Sequence, residues 1–142
     1  MTKVDFHILP AFQEHERIKY VTRLIRKAQS QSLNVLISTE DEAHQRAVSE
    51  GLWASSPDSF LAHEHIEEDF HPIQISCSDA CGQHHQVLIN LCNQTPNYFS
   101  RFERVFEVVS QEPSVLNASR SRYKFYKDRG YALTRHDLRD RV

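Results

Sequence analysis

The sequence predicts a single-domain α/β protein with a mostly parallel sheet flanked by helices, and three observations lead there. Segments with strand character alternate with segments of helical spacing from the N-terminus onward, the rhythm of βαβ units. The chain has 142 residues, room for one complete core and too little for two comfortable ones. No internal repeat, low-complexity run or Gly/Ser/Pro-rich linker divides it, so residues 1–142 are read as one domain.

Each element has its own signal. Val4, Phe6 and Ile8 alternate with Asp5 and His7, a strand that Pro10 ends. From about 13 to 31, Ile18, Val21, Leu24, Ile25 and Ala28 recur at helical spacing, giving an amphipathic helix whose apolar stripe should lie on the sheet. Leu33 to Ile37 reads as a short buried strand. Thr39 and Glu42 have the spacing of a capping box ahead of a second helix over about 41–52. Turn chemistry at 55–59 precedes a short strand near Phe60 to His63. Pro72 to Ser76 and Gln86 to Leu91 read as strands around a polar loop, Asp79 to His85. A short helix is expected at Asn97 to Phe102. Arg104 to Val109, rich in β-branched and aromatic residues, reads as a strand. Pro113 or Ser114 opens the last helix, which Gly130 stops, and Tyr131 to Arg135 is expected as an edge strand.

Composition limits the function. Apolar runs are only a few residues long, and Met1 to Asp5 leads into a strand without a signal-peptide apolar stretch, so a soluble, cytoplasmic protein is expected. Cys77, Cys81 and Cys92 are an odd set of thiols, expected to be free. The net charge of −2 is unevenly spread: residues 40–79 carry ten acids and one base, whereas 119–131 carry five bases and one acid. An acidic stretch of that length would repel a polyanion, which argues against direct duplex binding and for separate protein-facing surfaces. The βαβ pattern invites a nucleotide, but neither phosphate-loop motif occurs, and the only glycines are Gly51, Gly82 and Gly130.

Three stretches could carry function. On the last helix, Arg120, Tyr123, Lys124 and Lys127 fall on one face at about 100° per residue. Three cations around an aromatic ring suit a carboxylate attached to an apolar side chain, though charged helix faces are often simply solvated. Trp53 and Phe60 flank a turn and fit either core packing or an interface anchor. Cys77, Cys81, His84 and His85 are zinc-type ligands within nine residues, but their spacing matches no standard finger, and a polar hairpin loop would look the same. No nucleophile elbow or catalytic cysteine context occurs, so no catalytic site is expected, and the alternative function is a metal-binding protein or enzyme that uses the Cys77, Cys81, His84 and His85 loop.

A family likeness then joins these pieces. Val35 to Ile37 with Glu40 to Glu42, Leu52 and Trp53 with Pro57 to Leu61 and His63, Val87 to Leu91, Phe102 to Val105 with Glu107 to Val109, and Ser121 to Tyr131 together resemble the chi subunit of bacterial DNA polymerase III, a clamp-loader accessory. The likeness spans nearly the whole chain. It implies an α/β fold related to helicase and mononucleotide-binding domains without their catalytic loop, no cofactor, and a non-catalytic adaptor role in DNA replication. It implies that Arg120, Tyr123 and Lys124 hold the acidic, Phe-ending tail of single-stranded DNA-binding protein, so that DNA is contacted only indirectly. Trp53 and Phe60 would hold the psi subunit, with a DinG-type helicase competing for that surface. Ala62 stands where the family usually has Pro, and Ser121 where an acid is common.

Overall fold

The computed structural model of the chain describes residues 2–55, 64–65 and 70–139. Seven strands form one sheet: β1 (Lys3–Ile8), β2 (Val35–Ser38), β3 (Glu64–His65), β4 (Ile73–Ser76), β5 (Val87–Asn90), β6 (Arg104–Val109) and β7 (Ala132–Asp137), in the order β3-β4-β2-β5-β6-β1-β7. Every pairing is parallel, so the expected mostly parallel sheet is wholly so among the described strands. Parallel strands need crossovers, which the helices α1 (Glu14–Ser30), α2 (Glu42–Ser55) and α3 (Pro113–Asp128) supply in part.

The short, nearly continuous apolar strands follow from burial on both faces. Val35, Ile37, Ile73, Ile75, Val87, Ile89 and Val108 pack with Ile18, Val21 and Ile25 of α1 and Val48 and Leu52 of α2. The alternate residues Val4, Phe6, Leu36, Leu88, Val105 and Val109 pack on the opposite face with Tyr126 of α3 and with Tyr98, Phe99 and Phe102. Where α1 and α2 meet, a Cβ on Gly51 would lie 2.7 Å from Ile18 Cγ2, so a glycine is what lets the two helices approach. Gly130 stops α3 as expected, with φ +78° and the Tyr131 amide donating to the Tyr126 carbonyl at 3.1 Å.

Several boundaries differ from expectation. Thr39 is not the cap of α2: its hydroxyl donates to the Ser76 carbonyl, continuing the β2–β4 edge, while Asp41 accepts from the His44 amide at 2.8 Å and His44 Nδ1 accepts from the Glu40 amide at 3.0 Å. The side-chain cap is therefore Asp41, two residues later than the motif suggested, and His44 reaches back to the amide of the preceding residue, Glu40. Helix α2 runs to Ser55, which places Trp53 inside its last turn. The loop between β4 and β5 is no hairpin, because β2 lies between those strands. The expected helix at 97–102 is one 3-10 turn, Phe99–Arg101. The strand expected at Phe60 to His63 lies outside the described residues.

Helix α3 is fixed by a buried ionic knot. Glu107 on β6 is wholly buried, and its carboxylate accepts from Arg122 Nε at 2.9 Å, the Tyr126 hydroxyl at 2.7 Å and Asn90 Nδ2 at 3.0 Å. Arg122 also donates to the Asn93 carbonyl at 2.9 Å. Replacing Glu107 with Gln leaves the Arg122 guanidinium buried without its counter-charge, and breaking such a pair costs about 3–5 kcal/mol. Chemical denaturation should show that loss in Glu107→Gln and a partial recovery when Arg122→Met is added, the sign expected of coupled partners.

Candidate functional site

The knot decides which side of α3 is left for a partner. Ser119, Arg122 and Tyr126 form the buried stripe, so Arg122 is a structural cation and not part of the accessible basic face. Turning Arg122 and Tyr126 inward directs Leu116, Ser119, Arg120 and Tyr123 toward the edge strand β7, where they line a cavity of about 290 Å³ with Phe6, Ile8, Arg135 and Arg139. Its floor is apolar and aromatic: Phe6 meets the Tyr123 ring edge-on at 5.2 Å. Its rim carries guanidinium groups from two separate elements. Arg139 is already chelated by Asp137, with Nε donating at 2.9 Å, whereas among the described residues Arg120 makes only a long contact with Asn117 at 3.4 Å. Register explains Arg135: it lies opposite Phe6 in the β1–β7 ladder, so its side chain shares the α3 face.

Of the four residues expected on the basic face, the recess takes Arg120 and Tyr123. Lys124 and Lys127 do not line it; both are exposed, and Lys124 pairs with Asp128 at 3.5 Å. The sequence reading missed Arg135 and Arg139. Alternation along the last strand could have put Arg135 beside the helix, but only with the knowledge that this strand pairs in parallel with the first one.

The C-terminal ends of the strands, where ligands of open parallel sheets usually sit, are differently occupied. Arg17, almost wholly buried, donates to the carbonyls of Val108 at 3.2 Å and Leu91 at 3.3 Å, and pairs with Glu14 at 2.8 Å. A side chain thus fills the crest where a phosphate would need backbone amides.

Residues 1–134 match the family described as DNA polymerase III chi subunit, HolC. The DNA polymerase III subunit chi of Pseudomonas aeruginosa is 34% identical over 139 residues, covering 97% of this chain and 98% of that one. The Escherichia coli subunit chi is 30% identical over 103 residues, 70% of each chain. The chain belongs to the DNA polymerase III chi subunit family. Among solved structures, the crystal structure of T4 UvsW superposes with a TM-score of 0.62 at 9% identity, over 96% of this chain and 42% of that one, a likeness of fold alone. As a chi-family protein the chain has a role in DNA replication.

The remaining expected residues of this chi-family chain are placed as follows. Trp53 is 44% exposed at the end of α2. Phe60 lies outside the described residues. Cys77, Cys81, His84 and His85 are not brought together: among the described residues the one cluster with converging ligand atoms is Asp5, His7 and His136. The loop is instead a lid on the part of the sheet that α3 does not reach. Cys81 joins the α3-side core and accepts from Arg101 at 3.1 Å, and His84 Nε2 hydrogen-bonds Gln74 Oε1 at 2.8 Å while its ring packs on Phe70. His85 is exposed.

Burial pushes the His84 pKa down to about 4, with smaller effects from His71 and His85. Because the folded value lies below the unfolded one of about 6.5, the unfolded chain takes up the proton first, and stability present above pH 6.5 is lost as pH falls toward 4. His84 should contribute on the order of 3 kcal/mol to that loss. Denaturation midpoints measured from pH 7 to 4.5 should fall less steeply in His84→Gln than in the unaltered chain; parallel curves would remove His84 as the cause.

Proposed function

We propose that the chain is a non-catalytic adaptor that holds the acidic C-terminal tail of single-stranded DNA-binding protein at the α3–β7 recess and the psi subunit of the clamp loader at the Trp53 end of α2. The observation that carries this reading is the combination within one recess of an apolar, aromatic floor with arginines from two elements. A peptide ending in Phe presents the matching pair, an aromatic ring and a carboxylate on the same residue. The ring would lie on Phe6, Ile8, Leu116 and Tyr123, and the carboxylate would pair with the Arg120 fork, with Arg135 flanking it. Lys124 and Lys127, further along the exposed face, would meet the aspartates upstream.

The rim charges are exposed, so each contact is weak and screened by salt, and useful strength comes from several tails on one coated strand. The exposed Trp53 supports the second surface, which with Phe60 would seat psi or, in competition, a DinG-type helicase. The same reading places the protein in the cytoplasm. Among the described residues no helix is long and apolar enough to cross a membrane.

Titration with a short acidic peptide ending in Pro-Phe should show binding by the free acid and little by the C-terminal amide. Arg120→Ala should weaken the free acid by about tenfold or more, roughly 1.4 kcal/mol, and Arg135→Ala should reduce both affinity and salt dependence. Wild-type affinity in Arg120→Ala at low salt, in a protein of unchanged melting temperature, would refute the site. In a co-purification assay Trp53→Ala should lose psi while still binding the peptide; loss of both would point to misfolding and not to an interface.

A further inference from the structure

On the sheet face opposite the recess, β1 and β7 carry a group of side chains that the adaptor reading does not use. Asp5 and His7 are two apart on β1, and His136 on β7 lies opposite His7 in the parallel ladder, so all three project from one face. One ligand atom from each lies within 4.8 Å of the others. The two imidazoles stack at 4.6 Å, and His136 Nε2 is 3.8 Å from Asp5 Oδ2. His7 is buried with its Nε2 unpartnered, an orphaned polar atom of the kind that calls for a missing ligand. Its other nitrogen is engaged, because Nδ1 lies 2.6 Å from the Tyr20 hydroxyl.

We infer that Asp5, His7 and His136 form a binding site for a divalent late transition-metal ion of the zinc type. Two imidazoles and a carboxylate are a donor set such ions favour, and a fourth position would be left to water. Ligand atoms about 2.0–2.1 Å from a tetrahedral ion stand roughly 3.3 Å apart, so atoms that now lie within 4.8 Å of one another need a closing movement in which one imidazole turns out of the stack and both ring planes meet at the ion. His136 can make it, since its side chain is 42% exposed on the edge strand. The surrounding groups are suited to the role. Tyr20 orients His7 from the second sphere, while Arg104 is paired with Asp5 Oδ2, the same oxygen that lies 3.8 Å from His136 Nε2, so an ion would displace Arg104 from that oxygen or take Oδ1 instead. A cavity of about 210 Å³, walled by Leu24, Ala28, Leu33 and Phe106, opens onto the three ligands and gives the ion a way in. Lys27 and Arg104 on its rim oppose a cation, which makes a neutral His7 and an ionised Asp5 necessary for binding.

The test is titration of the full chain with zinc and, for its spectrum, cobalt. One equivalent of zinc should bind saturably and raise the melting temperature. His136→Gln and Asp5→Asn should each weaken binding more than about tenfold, while His15→Gln, on the exposed start of α1, should not. The cobalt complex should lack a thiolate charge-transfer band. No saturable binding, wild-type affinity in either of the first two variants, or a thiolate band assigning the ion to cysteine would overturn the site. None of these readouts depends on the tail peptide.

Discussion

A carboxylate with no access to solvent, Glu107, sets the geometry on which the candidate site depends. An unpaired charge in that position would be strongly unfavourable, but Arg122, Tyr126 and Asn90 give it hydrogen bonds and a counter-charge. Arg122 and Tyr126 are one helical turn apart, so binding the same carboxylate fixes α3 in rotation as well as in position. Residues 120 and 123 then have only one direction to face. The recess is therefore a consequence of an ion pair that takes no part in it, and its arginine and tyrosine are held ready before any ligand arrives.

The edge strand β7 completes the arrangement. A strand shows alternate residues to opposite faces, so adjacent positions Arg135 and His136 serve different neighbourhoods: one faces the recess beneath α3, the other the His7 and Asp5 cluster beside α1. Leu133 anchors the α3 side of the strand in the core. Elsewhere along it, charged and polar side chains dominate, which also discourages pairing with another chain at this open edge.

Much of this architecture was legible in the sequence because parallel strands buried on both faces are written as short apolar runs, and because α1 and α3 have clear caps or stripes. Arg104 to Val109 was correctly a strand on β-branched content alone. What failed were features that depend on which strands become neighbours. Thr39 fits a capping motif locally, yet the β2–β4 pairing claims its hydroxyl. Cysteine and histidine in the 77–85 loop suggest a metal site from closeness in sequence, but the loop folds over Gln74, which engages His84 Nε2, and the ligand atoms of its cysteines and histidines do not converge. Of the recess, Arg120 and Tyr123 followed from helical spacing. Arg135 did not, since its partner Phe6 lies 129 positions away in the chain. Helical spacing keeps Arg122 off the basic face, but nothing in its own segment reveals that its partner is Glu107.

The strand order also constrains how the molecule can be made. Among the described strands β1 precedes all the others in the chain, yet its neighbours in the sheet are β6 and β7, which follow all the others. Before β6 is made, α1, β2, α2, β3, β4 and β5 can assemble among themselves, while β1 and its Val4 and Phe6 must wait for the chain through residue 137. Closing so long a loop is slow and leaves an unpaired apolar strand open to aggregation or chaperone capture in the interval. The half of the sheet that carries the recess is thus the half completed last, so a nascent or truncated chain would display a partly folded body in which the recess does not yet exist.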